Sequence, residues 1–332
     1  MILSSIAPLD ERPEPLELVE RPVPEPGSGE LLVRVVACGV CHTELDEIEG
    51  RTPPPNLPVI PGHQVVGVVA RVGEDVSGFA EGTRVGIGWI HSSDGGPDEN
   101  LSEAFRGTGR DVDGGYAEYL TVPHGYAYPI PDQLSDEEAA PLLCAGAIGY
   151  RALRLTGLTD GQRLGLTGFG ASGHLVLQLA RHLYPASDIY VFARDAAARE
   201  FALDLGAAWA GATDERSPSS LHAIIDTTPA WRPVVEALAN LAPGGRLVIN
   251  AIRKEEADKD SLLDLQYEQH LWMEREIKSV ANITARDIQQ FLTLAATIPI
   301  RVKVTTYRLE DANQALRDLK GGGGTGARVL LV

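Results

Sequence analysis

The stretch from residue 163 to residue 183, RLGLTGFGASGHLVLQLARHL, constrains the fold more than any other part of the chain. A short apolar run leads into Gly168, Gly170 and Gly173, spaced as G-x-G-x-x-G, and apolar residues at helical spacing follow. In a strand–turn–helix unit these glycines allow a tight turn, approach of the backbone to a pyrophosphate, and close helix packing. The free N–H groups of the helix start would face phosphates. The stretch predicts a dinucleotide-binding turn in which Ser172 contacts a phosphate.

Strand and helix patterns continue to alternate after this turn. DIYVFAR, LHAIIDTT and GRLVINA are typical of buried strands, and AAAREFALDLG is typical of a helix that ends at Gly206. Such alternation, which starts at about residue 162, predicts an α/β fold with a doubly wound parallel sheet. The charge run RKEEADKD, residues 253–260, is interpreted as a solvated loop.

The first 145 residues have a different character. They are rich in Pro, Gly and Val, and short runs such as ELLVRVVACGV and QVVGVVARVG alternate with turn residues, which predicts irregular β structure. A helix is expected to start at the acidic residues 136–138. After residue 283 the pattern is helix, strand and helix, which either extends the parallel sheet or returns to the first domain. GGGGTG, residues 321–326, is interpreted as a loop before the last strand, ARVLLV.

Composition excludes several classes of function. The formal net charge of −17 repels phosphate backbones, so nucleic acid is not expected as a partner. No apolar run reaches the roughly 18 residues of a membrane span. Three cysteines, an odd number, and an N-terminus without a signal-peptide pattern favour a reducing compartment, the cytoplasm.

The choice of dinucleotide depends on the end of the second strand. An acid that binds the ribose 2′-hydroxyl is expected about 20 residues after the glycines. That position falls near Ala193, which is uncharged, and Arg194 follows it. A guanidinium suits a 2′-phosphate, which favours NADP(H). The alternative is that Arg194 is a solvated surface residue and Asp195 contacts the ribose of NAD(H).

The first domain also offers metal ligands, namely Cys41, His63 and Cys144. Two thiolates and one imidazole are a known ligand set for catalytic zinc. Their wide separation in sequence makes the spacing weak evidence, because a lone cysteine is more often a small core residue. Cys38 is interpreted in that way, as an apolar strand residue.

The flanking motifs identify a family. GVCHTEL, PGHQVVGVVARVGEDVSGFAEGTRVGIG, DGGYAEY, EEAAPLLCAG and the glycine turn follow one another in this order. Together they resemble the zinc-dependent alcohol dehydrogenases of the medium-chain dehydrogenase/reductase superfamily, in the bacterial branch related to cinnamyl-alcohol dehydrogenases. The resemblance implies a GroES-like domain of residues 1–145, to which residues 284–332 return, beside a Rossmann domain of residues 146–283.

The resemblance also implies roles for single residues. Cys41, His63 and Cys144 would bind the catalytic zinc, and Glu44 would orient His63. Thr43 would pass the substrate's hydroxyl proton outward. The remaining implied roles are contact of His42 with the cofactor pyrophosphate and a place for Trp89 in the substrate pocket.

The chain departs from the family pattern at several points. Gln64 and Asp46 stand where many relatives have Glu and His, so either Asp46 ends the proton relay or water does. Many relatives also carry a lobe with four cysteines that hold a structural zinc. Here the corresponding HSSDGGPDENLSEAFRG is short and lacks cysteine, and Asp94 and Ser102 stand near the outer cysteine positions. One catalytic zinc and no structural zinc are therefore predicted.

The predicted function is reversible oxidation of a small alcohol to an aldehyde or ketone, with hydride transfer to a nicotinamide cofactor. Two alternatives remain open at this point. One is a zinc-free quinone or enoyl reductase of the same superfamily, and the other is an NADP(H)-binding sensor or structural protein without turnover. The resemblance further implies a homodimer or homotetramer that assembles through the Rossmann domains.

Overall fold

The computed structural model describes residues 1–322 and 326–332. The strands, in chain order, are β1 (Ile2–Leu3), β2 (Leu16–Glu17), β3 (Glu30–Val40), β4 (Val65–Val72), β5 (Arg84–Ile87), β6 (Ile90–Ser92), β7 (Arg106–Gly107), β8 (Tyr119–Pro123), β9 (Ala127–Pro129), β10 (Leu164–Thr167), β11 (Ile189–Phe192), β12 (Trp209–Gly211), β13 (Leu221–Asp226), β14 (Leu241–Ile249), β15 (Glu276–Ser279), β16 (Val304–Arg308) and β17 (Ala327–Leu331). The α-helices are α1 (His42–Ile48), α2 (Asp136–Pro141), α3 (Ala147–Thr156), α4 (Ala171–Leu183), α5 (Ala196–Asp204), α6 (Arg232–Asn240), α7 (Tyr267–His270), α8 (Ala285–Ala295) and α9 (Ala312–Lys320). A π-helical turn spans Leu142–Gly146, and short 3₁₀ turns span Glu99–Leu101, His124–Tyr126, Lys259–Asp264 and Leu309–Asp311.

The chain divides into two compact units. The first unit comprises Met1–Ala147, Ile283–Thr297 and Val302–Val332, and the second comprises Ile148–Asn282 and Ile298–Arg301. Most of the segment after residue 283 therefore lies with the N-terminal half. The predicted loop of residues 321–326 falls partly on residues 323–325, which lie outside the described residues.

The second unit is built on a parallel sheet. Its strand order is β12-β11-β10-β13-β14-β15, and each neighbouring pair runs parallel. Numbered along this unit, that is the 3-2-1-4-5-6 order of the Rossmann fold. The predicted doubly wound sheet is confirmed, and the strand patterns correspond to β10, β11, β13 and β14.

The first unit contains a mixed sheet in which β3 is the central strand. The order is β16-β17-β3-β4-β5-β9, and β8 also pairs with β3. β3 and β4 run antiparallel with Cys38 opposite Val65, so the residues after β3 lie beside those before β4. This register brings residues 41 and 63 to one end of the sheet.

The core of the first unit lies around this sheet. Its buried members include Val33, Val35, Cys38, Ile87 and Tyr116. Cys38 is thus a buried strand residue, as expected. Among the described residues, every helix is too short or too polar to cross a bilayer.

One sequence interpretation is wrong in part. The charge pattern of residues 253–260 predicts a solvated loop, but the Lys254 side chain is only 8% exposed. It pairs with Asp226, whose side chain is fully buried. A partner 28 residues away, which a local charge pattern does not reveal, decides the burial of this lysine.

Candidate active site

Cys41 and His63 are positioned by the β3–β4 pairing. Cys41 directly follows β3 and caps helix α1, because its Sγ accepts a hydrogen bond from the backbone N–H of Thr43 at 3.2 Å. His63 lies two residues before β4 and is 1% exposed. The Gly39 N–H donates to the carbonyl oxygen of Gln64 at 2.9 Å and extends the ladder as far as this histidine.

Cys144 reaches the same place from the π-helical turn. The turn follows α2 without a break, and its residues Leu142 and Leu143 are fully buried. A Cβ on Gly146 would lie 2.2 Å from the Phe291 ring of α8, so the turn packs tightly against that helix. A π turn is wider than an α turn and is frequent at functional sites, which fits its use here to present Cys144.

The three side chains converge on one point. The ligand atoms of Cys41, His63 and Cys144 all lie within 4.8 Å of one another. His63 Nε2 lies 3.6 Å from Cys41 Sγ and 3.2 Å from Cys144 Sγ. These predicted ligands, distant in sequence, form one compact group.

Glu44 fixes the orientation of the histidine from behind. Its Oε2 accepts the backbone N–H of Cys41 at 2.9 Å, and its Oε1 lies 2.5 Å from Nδ1 of His63. Both side chains are buried, so water does not screen this contact between the carboxylate and the imidazole. Because Nδ1 faces the carboxylate, Nε2 is left facing the sulfurs. A carboxylate behind a histidine is the usual support of a metal ligand.

The pKa values of Cys41 and His63 are both raised, for different reasons. Hydrogen bonding to Cys144, followed by burial, raises the pKa of the Cys41 thiol well above its usual value. Burial alone would lower the pKa of His63, but the charges of Glu44 and Cys41 outweigh it and raise that pKa well above the usual range. Metal ligation needs thiolates and a neutral imidazole, so a dication displaces these protons. Two sulfurs and one nitrogen are a donor set that fits zinc with one position open.

Trp89 lies beside His63 of this group. Its ring meets the His63 ring edge-on, with centroids 4.6 Å apart and an interplanar angle of 88°. It is 8% exposed, and a Cβ on Gly107 would lie 3.4 Å from it. In the same region Thr43 is half-buried and His42 is exposed, both in the first turn of α1.

Asp46 has a partner that the sequence did not suggest. Its Oδ1 lies 2.6 Å from Nε of Arg51, and Arg51 also pairs with Glu49. Asp46 is 3% exposed. The Asp46 carboxylate, one of the two possible ends of the proton relay, is therefore held in an ion pair with a guanidinium.

The glycine turn in the second unit has the form that its motif predicts. Gly168 follows β10 with φ of +83°, a conformation that favours glycine. A Cβ on Gly173 would lie 2.7 Å from the Gly168 carbonyl oxygen, whereas one on Gly170 would meet no described atom within 4 Å. Ser172 lies in the first turn of α4. The turn is thus closed where the helix packs and open where a pyrophosphate would approach.

Arg194 stands just beyond the end of β11 and is exposed. Its carbonyl oxygen, like that of Ala193, accepts a 2.7 Å hydrogen bond from the guanidinium of Arg199. The backbone of this bend is fixed by Arg199, and the Arg194 side chain remains at the surface of the unit.

Two ionisable side chains that were not predicted to be buried lie in the interior. Glu47 is 1% exposed on α1, and burial, followed by repulsion from Glu44, raises its pKa to about 9. Lys254 is the second. Asp226 could have indicated the burial of Lys254, because an acid at the end of a predicted buried strand needs an ion-pair partner.

The shortened lobe is held by hydrogen bonds. The carboxylate of Glu99, 3% exposed, accepts the N–H of Ala285 at 2.6 Å and the hydroxyl of Tyr126 at 3.0 Å. The hydroxyl of Ser102 donates to Asp94 and thereby lowers the pKa of that acid. Protein side chains bridge the two positions near which many relatives are expected to carry the outer cysteines.

Comparison with known proteins decides the family. Residues 27–132 match the alcohol dehydrogenase GroES-like domain. The chain is 45% identical over 329 residues to the "Probable alcohol dehydrogenase AdhA" of Mycobacterium tuberculosis, covering 96% of this chain and 93% of that protein. It is 35% identical over 338 residues to an alcohol dehydrogenase of Geobacillus stearothermophilus, covering 95% and 96%. The chain belongs to the zinc-dependent alcohol dehydrogenase family.

The structural comparison agrees. A cinnamyl alcohol dehydrogenase of Sorghum bicolor superposes with a TM-score of 0.80 at 25% identity, covering 93% of this chain and 91% of that one. The predicted family and the predicted pairing of a GroES-like with a Rossmann domain are confirmed. This alcohol dehydrogenase is an NAD(P)-dependent oxidoreductase, as its sequence motifs predict.

Proposed function

We propose that this alcohol dehydrogenase oxidises small alcohols reversibly to aldehydes or ketones with one catalytic zinc bound by Cys41, His63 and Cys144. The observation that carries the proposal is the convergence of the three ligand atoms within 4.8 Å. The charge contact between Glu44 and His63 supports it, because it aims Nε2 at the sulfurs. We further propose that residues 1–145 with 284–332 act as the catalytic domain and residues 146–283 as the dinucleotide-binding domain.

When bound, zinc would supply Lewis-acid polarisation of the substrate oxygen, and the dinucleotide would supply the hydride acceptor. The residues of the chain do the rest. Trp89 bounds the substrate pocket beside His63, and Thr43 takes the hydroxyl proton at its Oγ1. From there the proton leaves either to Asp46, which is ion-paired with Arg51, or to water.

The preferred dinucleotide in this proposal is NADP(H). The glycine turn of Gly168, Gly170 and Gly173 would bind the pyrophosphate with Ser172, and His42 would add a contact from the catalytic domain. Arg194 is exposed at the end of β11, and no carboxylate stands at Ala193. A guanidinium at this point can bind a 2′-phosphate through two parallel hydrogen bonds.

A single zinc per chain is a further part of the proposal. The chain has three cysteines, and Cys38 is buried in β3, so no set of four thiolates exists. The lobe that holds a structural zinc in many relatives is stabilised here through Glu99. Unpaired thiols also support a reducing location, the cytoplasm.

The assembly we propose is a homodimer or homotetramer that forms through the second unit. Strand β15 is exposed along its whole length at the edge of the parallel sheet. Large apolar side chains are exposed just before and within it, namely Leu263, Tyr267, Leu271, Trp272, Met273 and Ile277. An open edge beside an apolar patch is typical of a subunit interface. Light scattering should therefore give at least twice the mass of one chain, and Trp272→Glu should lower it.

The test of the proposed function combines metal analysis with kinetics. Purified protein is expected to contain about one zinc per chain and to oxidise benzyl alcohol with NADP more efficiently than with NAD. Removal of the metal by a chelator should abolish activity, and added zinc should restore it. Full activity without any metal would favour a zinc-free reductase, and tight NADPH binding without turnover of any alcohol or aldehyde would favour a sensor.

A further inference from the structure

Three loops of the second unit leave neighbouring strands at the same edge of the sheet. β10, β13 and β14 are adjacent and parallel, so their carboxyl ends lie together. Gly168 follows β10, Asp226 ends β13, and Lys254 follows β14. Dinucleotides bind at this edge in folds of this order.

Lys254 joins two of these loops. Its ammonium group contacts the carboxylate of Asp226 and donates to the carbonyl oxygens of Thr228 at 2.7 Å and Ala230 at 3.1 Å. All three of its donors are thus used. The other Asp226 oxygen accepts the Thr228 hydroxyl at 2.8 Å, so the carboxylate serves the same loop.

The loop after β13 in turn supports the glycine turn. The backbone N–H and the hydroxyl of Thr227 both donate to the carbonyl oxygen of Thr167, at 2.8 Å and 3.0 Å. A Cβ on Gly168 would lie 2.7 Å from the Thr227 hydroxyl oxygen and 3.0 Å from the Thr228 methyl group. The position of this loop therefore determines how much space surrounds Gly168 in the glycine turn.

The segment around Lys254 lies along this loop at further points. The N–H of Glu255 donates to the carbonyl oxygen of Pro229 at 2.7 Å. The carboxylate of Asp258 accepts the N–H groups of Trp231 and Arg232 at 2.9 Å and 2.8 Å. Residues 254–258 thus lie alongside residues 226–232 and are hydrogen-bonded to them at several points.

We propose that Lys254 is a positioning residue for the dinucleotide. By holding Asp226 and the carbonyl oxygens of Thr228 and Ala230, it keeps the loop after β13 against the glycine turn before the dinucleotide arrives. The inference rests on the proposed function, in which that turn binds the pyrophosphate. Lys254 need not contact the dinucleotide itself, because it acts on binding through the position of the loop after β13.

The physical basis is preorganisation. A loop that is already ordered costs less conformational entropy when a ligand binds. Loss of Lys254 alone would leave the Asp226 charge buried and unpaired, which destabilises the fold by itself. A variant that removes both charges separates the two effects, since it loses the tether without leaving a buried ion.

The experiment measures dinucleotide binding by calorimetry in wild type, Lys254→Met, and the double variant Lys254→Met/Asp226→Asn. Lys259→Met is the matched control, because Lys259 lies in the same segment, pairs with Glu256 and is 54% exposed. We expect the Kd for NADP to rise about tenfold to a hundredfold in both Lys254 variants and to stay unchanged in the control. The zinc content should equal that of wild type, and kcat at saturating cofactor should change far less than KM for the cofactor.

The outcomes separate this inference from the proposed function. If wild type binds neither NADP nor NAD, the proposed function fails. If wild type binds and the folded double variant binds equally well, only the role of Lys254 is overturned.

A second readout covers the case in which the variants do not fold. In wild type without cofactor, the amide hydrogens of Thr227 and Asn250, which bond to Thr167 and Asp226, should exchange slowly. Rapid exchange that becomes slow only after NADP is added would contradict a loop ordered in advance.

Discussion

The proposed metal ligands of the first unit and the glycine turn of the second unit are built in different ways. The ligands come from three separate segments, and each contributes one atom whose chemical identity cannot change. The turn comes from one continuous motif and contributes mainly the course of its backbone, which the loop after β13 supports. A site of the first kind should fail completely when one side chain is lost, whereas one of the second kind should weaken by degrees.

The largest effect is expected from Cys144→Ser. Loss of one thiolate removes a third of the ligand set, so bound zinc should fall from about one per chain to near zero and activity to background. Cys38→Ala is the matched control, because Cys38 is buried in β3 outside the ligand group. Metal analysis and benzyl alcohol oxidation measure both variants. If Cys144→Ser kept its zinc, the expectation that loss of one ligand abolishes metal binding would be wrong.

A smaller effect is expected from Glu44→Gln. Replacement keeps the shape but removes the charge that faces His63, and loss of such a partner typically weakens metal binding by about tenfold to a hundredfold. Competition with a zinc chelator measures the affinity. Glu25→Gln, at an exposed position, should match wild type. If Glu44→Gln bound zinc as tightly as wild type, the charge of Glu44 would make no contribution to zinc affinity.

The dinucleotide side of the comparison is sharpened by Arg194→Ala. If Arg194 binds the 2′-phosphate, the Kd for NADP should rise about tenfold while that for NAD stays the same. Calorimetric titration with both dinucleotides gives the ratio. Arg286→Ala, exposed in the first unit, serves as the control. Equal losses for both dinucleotides would assign Arg194 a general role and return the choice of cofactor to Asp195.

The smallest effect concerns stability and involves Glu47. Its pKa is about 9 in the folded protein against an ordinary value of 4.5, and the charged groups acting on it include Glu44, His63, Arg110 and Asp111. Between these two pH values the folded state binds the extra proton, so this contribution is full below pH 4.5 and is lost as the pH rises towards 9.

Glu47→Gln should remove this dependence. The variant is expected to melt like wild type near pH 5 and a few degrees above it near pH 9. Thermal unfolding at the two pH values measures the difference, with the exposed Glu256→Gln as control. Identical melting of wild type and Glu47→Gln at both values would show that the acid is not held neutral.

The parts of the fold that the sequence predicts are those in which local pattern and tertiary role agree. The strand–glycine–helix unit around Gly168 carries its signal within 21 residues, and the motifs around Cys41, His63 and Cys144 each carry part of a family pattern. The antiparallel pairing of β3 with β4 then brings Cys41 and His63 together, which no single motif could reveal.

The missed residues are those in which local pattern and environment conflict. Glu47 and Lys254 lie in charged stretches of the kind that is usually exposed to solvent, and lysine or glutamate is seldom buried. Asp46 is engaged by Arg51, which lies just beyond the end of α1. Such ion pairs depend on which segments the tertiary fold brings together, and a local run of charged residues carries no information about that.

The most direct test of the central claim is X-ray absorption spectroscopy at the zinc edge of the protein as purified. The account predicts a single kind of site with two sulfur ligands, one imidazole nitrogen and a further light-atom ligand, at about one zinc per chain. A spectrum without sulfur ligands, or active protein that contains no zinc, would contradict it.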